Sequence, residues 1–291
     1  MPSLLAWMLL LRPSHWIKNV FVLAGFFFSG DWRNAEILTR SLAGFAVFCL
    51  ASSAVYCLND ALDADKDRQH PRKRLRPVAA GLVSRRAALT SAALLLVPAL
   101  ALALWTGPGL AIIAGAYLAV NLAYSSGWKN KVLVDVFCIA SGFILRLLAG
   151  TWGIGIEPSQ WFLLCTMALS LFLGFSKRYA ELAEAKLTLD EKRAVLRNYS
   201  PEFLRMLMGV TLSATLITYG LYTTSARTVA VHGTSNLVYT LPIAMFAMFR
   251  YLYLVMEKGF GENTVAEVLK DRQLLLATAA YLVSAGGLLF L

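Results

Sequence analysis

Apolar residues run along this chain in stretches at about 16–30, 36–58, 84–106, 109–126, 132–152, 159–177, 203–224, 236–256 and 272–291. A helix needs roughly 17–25 apolar residues to cross a hydrocarbon core. Stretches of this length, repeated so often, predict an all-α polytopic membrane protein with about nine transmembrane helices. Gly30-Asp31, Thr106-Gly107-Pro108, Ser125-Ser126-Gly127 and the segment from Gly153 to Pro158 supply the breaks between them. No low-complexity linker interrupts the pattern, so residues 1–291 read as a single transmembrane domain. The opening MPSLLAWMLLLRPSHW is apolar before its first charge, Arg12, and has no small-residue cleavage site. It predicts a short interfacial helix leading into the first span rather than a cleaved signal peptide.

Composition excludes a soluble alternative. The chain is 58% hydrophobic and 15% charged, with a mean hydropathy of +0.62, whereas soluble domains carry about 25% charged residues. The four cysteines, Cys49, Cys57, Cys138 and Cys165, all fall inside expected spans and form no C-x-x-C pair. They read as small apolar core residues, with no zinc site.

The cations orient the chain. Twenty-three of the 27 lysines and arginines fall in alternate loops; only Arg33, Arg40 and Arg227 fall in the opposite set, and Arg146 lies within a span. By the positive-inside rule the N-terminus and the two heavily charged loops are cytoplasmic, and an odd span count puts the C-terminus outside. The expected location is an inner or plasma membrane, crossed many times. Net charge +10 is then mostly a topology signal plus attraction to anionic headgroups. No loop forms a basic domain suited to nucleic acid, and a homo-oligomer is compatible with the sequence.

Candidate chemistry concentrates in those loops. The first reads NDALDADKDRQHPRKRLR over residues 59–76. If the helix before it continues, Asp60, Asp63 and Asp67 share one face at i, i+3 and i+7, with Asn59 one turn from Asp63. Asp65 points roughly 140° away from Asp60 at about 100° per residue. Magnesium prefers oxygen ligands and is usually held by one or two carboxylates plus substrate phosphates. A carboxylate stripe backed by Arg68, Arg72, Lys73, Arg74 and Arg76 suits a magnesium-bound diphosphate, with Lys73, Arg74 and Arg76 as the favoured phosphate contacts. The alternative is ordinary pairing of charges on a solvated loop.

The second loop begins SKRYAEL at Ser176. Lys177, Arg178 and Tyr179 suggest another phosphate-binding edge, facing the first loop; Lys177 and Glu181 could instead form an i, i+4 surface pair. Between the loops lie Tyr124 to Lys129 and a span carrying Asp135 and Arg146. Ionisable groups inside a membrane helix mark functional sites by default. Asp135 is the better site candidate. Arg146, roughly 16 Å deeper at 1.5 Å per residue, is expected to pair with carbonyls or a buried acid.

Asn59-Asp60-x-x-Asp63-x-x-x-Asp67 resembles the first aspartate-rich motif of the UbiA superfamily of intramembrane prenyltransferases. Within it, LRPSHWIKN (11–19), the block at 59–81, YSSGWKNKVLVD (124–135) and SKRYAEL (176–182) are most similar to the decaprenyl-phosphate phosphoribosyltransferase branch. The last hundred residues match mainly in span pattern. Where prenyl-diphosphate-using members carry a second aspartate-rich loop, this chain has Lys177-Arg178-Tyr179 and only Glu181 nearby.

The resemblance implies a UbiA-like helical bundle and transfer of a phosphoribosyl group from 5-phosphoribosyl diphosphate to a polyprenyl phosphate, with diphosphate leaving. It implies Mg2+ held by Asp60, Asp63 and Asp67, with Asn59 supporting. Lys18, Lys73, Arg74, Arg76, Lys129, Lys177 and Arg178 become candidate phosphate contacts. Tyr124 and Tyr179 are further substrate contacts, and Asp135 a group for ribose hydroxyls or a water. The competing readings are a magnesium-dependent aromatic prenyltransferase using a polyprenyl diphosphate donor, and a transporter whose charged loops gate. The placement of charge at one surface rather than at mid-membrane disfavours the transporter.

Overall fold

The computed structural model describes residues 3–30, 33–71, 73–183, 194–261 and 269–290, and every regular element among them is a helix. Short 3-10 turns aside, in chain order these include α1 (Leu4–Leu11), a long 3-10 helix (Pro13–Leu23), α2 (Ala24–Phe27), α3 (Ala35–Leu62) and α4 (Ala64–Arg68). Then come α5 (Arg85–Thr106), α6 (Pro108–Ser125), α7 (Val134–Ala149) and α8 (Gln160–Ala183). α9 (Pro201–Thr224), α10 (Ala226–His232), α11 (Leu241–Lys258) and α12 (Arg272–Phe290) complete the chain.

Local sequence sets the boundaries. Asn34 caps α3 by accepting from the Glu36 and Ile37 amides, Ser84 caps α5 through Ala87, and Ser200 caps α9 through Phe203 with Pro201 at the first helical position. Gly107 and Pro108 separate α5 from α6.

Eight helical segments among the described residues are long and apolar enough to cross a membrane. The expected first span at 16–30 takes another form. Arg12 ends α1 in the left-handed region (φ 52°), Pro13 opens an 11-residue 3-10 helix, and the four-residue α2 follows. At about 2.0 Å per residue in the 3-10 stretch and 1.5 Å in α2, this segment is roughly 28 Å long. That is close to the thickness of a hydrocarbon core, about 30 Å, so it has a span's length without a long α-helix.

The contacts divide the chain into two compact units. The first comprises residues 1–127 and 145–158, the second residues 128–144 and 159–291. In the first, α3 packs against α5 and the N-terminal segment, and one cluster gathers Val22, Val47, Phe48, Leu110 and Tyr117. A second cluster, with Leu10, Cys57, Ala61 and Val83, lies under the acidic end of α3. In the second unit α8 packs on α9, and Phe172, Phe175, Leu204, Met208 and Tyr251 form the core. Outward faces stay apolar: Leu94, Val97, Leu104 and Trp105 of α5 are each at least 67% exposed. Such a surface is stable in hydrocarbon and a liability in water.

Two features of the first unit position the site. α3 has 28 residues, about 42 Å at 1.5 Å per residue, so its polar end at Asn59–Leu62 extends past an apolar layer of about 30 Å. The N-terminal segment also meets the end of α7 backbone to backbone. A Cβ on Gly150 would lie 1.6 Å from the Val22 carbonyl oxygen, and one on Gly25 would lie 1.6 Å from the Gly150 carbonyl oxygen. Gly150→Ala is therefore expected to destabilise by more than the roughly 1–3 kcal/mol typical of overpacking. Thermal denaturation in detergent measures this, and an unchanged Tm would show that the two segments separate at no cost.

Candidate functional site

The site starts from one face of α3. Positions 49, 52, 53, 56 and 60 recur at helical spacing, and each receives part of the N-terminal segment. Asn19, fully buried, donates to Cys49 Sγ and Ser52 Oγ; Trp16 Nε1 donates to Ser53 Oγ at 3.0 Å, and Ser53 in turn donates to the Leu11 carbonyl. His15 Nδ1 lies 3.0 Å from the Tyr56 hydroxyl. At the polar end, Arg12 donates from Nη2 to Asp60 Oδ1 at 2.9 Å, with its guanidinium 4.7 Å above the Tyr56 ring. The left-handed backbone at Arg12 is a conformation few non-glycine residues adopt, and it ends α1 beside this carboxylate.

The acidic stripe gathers in part. Asp60 and Asp67 are both buried. Arg76 links them, donating to Asp67 Oδ2 at 2.8 Å and standing 3.6 Å from Asp60 Oδ1. Asp63 sits at the bend between α3 and α4; its amide donates to the Asn59 carbonyl and its carbonyl accepts from Asp67. Asn59 Oδ1 accepts from Ser125 Oγ at 2.7 Å, which ties the end of α6 to the end of α3. Asp65 stands apart on the exposed side, paired with Arg68 and Arg85.

The loop cations now separate by what they touch. Arg85 donates to the Ala61 carbonyl, satisfying an acceptor at the C-terminus of α3, and Arg68 donates to the Ala79 carbonyl. These two hold the loop in shape. Arg76 and Arg12 hold the carboxylates. Lys73 is half-buried, Arg74 and Lys18 are exposed, and Tyr124 is half-buried. Arg72 lies outside the described residues.

A buried carboxylate oxygen without a partner is costly, and Asp60 Oδ2 is one: it is buried and accepts no hydrogen bond. No group of three or more His, Cys, Asp or Glu side chains among the described residues is arranged to hold a metal ion. Asp60, Asp63 and Asp67 thus do not converge as a three-carboxylate cage. What is present, two buried carboxylates, one with a buried and unpartnered oxygen, beside two guanidinium groups, fits a magnesium ion that brings its own phosphate ligands.

The second unit carries its own polar cluster. Asp135, fully buried in the first turn of α7, accepts from Arg178 Nε at 2.7 Å and from the Tyr199 hydroxyl at 2.8 Å. That hydroxyl accepts from the Leu133 amide at 2.7 Å, where Leu133 has a φ of 66°. Burial pushes the Tyr199 phenol up to about 12, and the Asp135 carboxylate adds to the rise. Arg178, 1% exposed, also donates to Glu181. Lys129, Lys177 and Tyr179 are half-buried in this unit.

Arg146 reaches polar side chains of the N-terminal segment and of α6. Its Nε donates to Asn19 Oδ1 at 2.8 Å and its Nη2 to the Tyr117 hydroxyl at 3.2 Å, with Phe48 and Tyr117 rings beside the guanidinium. Sequence reasoning counted Arg12 only as a topology marker and passed over Tyr199. The signal for Arg12 was its place inside LRPSHWIKN; Tyr199, in the charged stretch before α9, gave none.

The family model for the UbiA prenyltransferase family matches residues 19–264. The decaprenyl-phosphate phosphoribosyltransferase of Mycolicibacterium smegmatis is 36% identical over 289 residues, 96% of this chain and 91% of that one. The Mycobacterium tuberculosis protein of the same name is 36% identical over 281 residues, covering 95% and 92% of the two chains. A UbiA homolog from Archaeoglobus fulgidus, solved bound to GPP and Mg2+, superposes with a TM-score of 0.69 over 98% of this chain and 100% of that one. The same homolog bound to DMAPP and Mg2+ gives 0.72 over 97% and 98%. At 17% identity these two likenesses establish the fold alone. The chain belongs to the UbiA prenyltransferase family, as an integral membrane enzyme.

Proposed function

We propose that the enzyme transfers the 5-phosphoribosyl group of 5-phosphoribosyl diphosphate to a polyprenyl phosphate, releasing diphosphate, and that residues 1–291 act as one catalytic domain. One observation carries the site: Asp60 Oδ2 is buried and unpartnered beside Asp67, Arg12 and Arg76. The donor and acceptor rest on likeness to relatives named decaprenyl-phosphate phosphoribosyltransferase over nearly their whole length.

In this reading Asp60 and Asp67 hold magnesium, supported by Asn59 and Asp63. Bound there with the donor, magnesium neutralises charge gathering on the departing diphosphate. Arg12 and Arg76 lie where they can donate charge-assisted hydrogen bonds to phosphate oxygens, and Lys18, Lys73 and Arg74 extend that surface. Lys129 and Lys177 of the second unit are further proposed phosphate contacts; Tyr179 of that unit and Tyr124 of the first are further proposed substrate contacts. Asp135 and Arg178, each committed to buried partners, serve as positioning residues. A lipid phosphate oxygen attacks the anomeric carbon as its bond to the diphosphate oxygen breaks, and the electron pair leaves with diphosphate. The attacking oxygen is already anionic, so no proton has to be removed first. In this reading the charged loops face the cytoplasm, which the distribution of cations supports.

Donor choice tests the reading. Purified protein with magnesium and a polyprenyl phosphate is expected to release one diphosphate per lipid modified from 5-phosphoribosyl diphosphate, and none after chelation. Turnover of a polyprenyl diphosphate with an aromatic acceptor, without turnover of the phosphoribosyl donor, would replace this proposal with aromatic prenyl transfer.

A further inference from the structure

Arg12 and Arg76 occupy the carboxylate oxygens that a metal would need. Arg12 takes Asp60 Oδ1, Arg76 takes Asp67 Oδ2 and approaches Asp60, and Asp60 Oδ2 is buried without a partner. The two kinds of partner differ in freedom. The Asp60 and Asp67 side chains are 0% and 5% exposed, while those of Arg12 and Arg76 are 22% and 29% exposed. The acids are enclosed, and each arginine side chain is partly exposed on a long stem.

We propose that Arg12 and Arg76 are exchangeable counter-ions that couple metal binding to diphosphate binding, so that neither ligand binds well without the other. A divalent cation arriving alone must displace the guanidinium groups and leave them unpaired beside a like charge. A diphosphate arriving alone meets carboxylates whose cations are already engaged. When both arrive, the carboxylates turn to the metal and the guanidinium groups to phosphate oxygens, and every charge keeps a partner. The exchange needs side-chain rotation only, because the left-handed turn at Arg12 already brings the guanidinium to the end of α3. Couplings of this kind typically change affinity about 5–150-fold. The inference rests on the metal–diphosphate reading of the site but not on the identity of the group transferred.

The test uses the full chain in detergent, with Mn2+ and inorganic diphosphate as probes, and measures what the protein itself retains. Wild type is expected to hold Mn2+ weakly alone and to retain diphosphate only when Mn2+ is present. Arg12→Gln is expected to shift the two affinities in opposite directions, tightening Mn2+ alone by about tenfold and weakening diphosphate retention with Mn2+ by a similar factor. Arg40→Gln, at the other end of α3, should move neither. Arg12→Lys, which keeps the charge and loses the fork, should shift both in the same directions by less; it serves where Arg12→Gln does not fold. A folded Arg12 variant whose Mn2+ affinity is unchanged or weaker overturns the proposal, as does a wild type that holds Mn2+ alone as tightly as with diphosphate. Opposite shifts without phosphoribosyl transfer would keep the exchange and overturn the donor assignment; transfer without the shifts would do the reverse.

Discussion

Asp60→Asn is expected to lower kcat/KM for phosphoribosyl transfer by about 10³-fold while the chain stays folded. The amide has the shape of the carboxylate, and its carbonyl oxygen can still accept from Arg12, so the local structure has little reason to change. What disappears is the negative charge at a buried oxygen that has no protein partner. A neutral amide is a poorer ligand than a carboxylate for a hard cation, and the change also takes the anionic partner from Arg12 while Arg76 keeps Asp67. Kinetics and thermal denaturation on the same preparation separate the two effects. Activity within tenfold of wild type would remove Asp60 from the site.

The second large effect is on stability. Asp135→Ala removes both acceptors of a buried cluster, leaving Arg178 and the Tyr199 hydroxyl without their carboxylate. Breaking a buried pair from one side costs about 3–5 kcal/mol; Arg178 keeps Glu181, but its Nε and the Tyr199 hydroxyl lose their acceptor. With about 2–4 °C per kcal/mol in domains of this scale, Tm should fall by roughly 6–20 °C. Asp135→Leu combined with Arg178→Met removes both charges together and should recover most of that loss. A double variant as unstable as the single one would show that the cluster does more than satisfy its own charges.

The acidic stripe was legible in part: helical spacing pairs Asp60 with Asp67 and turns Asp65 away, although the continuous helix it assumed ends at Leu62 and resumes only after the bend at Asp63. Burial then did what spacing cannot, singling out Asp60 Oδ2 as the unpartnered atom. Arg12 was hidden for a physical reason. In a loop where cations also set topology, one arginine looks like the next until its backbone conformation is known. The conformation of residues 13–27 was hidden similarly, since apolar composition fixes where a chain can cross but not whether it winds as an α- or a 3-10 helix. Arg146 was expected to meet carbonyls or a buried acid; it donates to Asn19 and Tyr117, neutral side chains far off in sequence that spacing could not single out. Tyr199 reaches Asp135 from 64 residues away, a distance at which no spacing rule applies.

The most direct measurement supplies 5-phosphoribosyl diphosphate labelled in the ribose and, separately, in the β-phosphate, together with magnesium and a polyprenyl phosphate. Cleavage at the anomeric carbon moves the ribose label into the lipid phase and the β-phosphate label into free diphosphate, in equal amounts. Appearance of the β-phosphate label in the lipid, or retention of both labels in the donor while a prenyl diphosphate is consumed, would contradict the account.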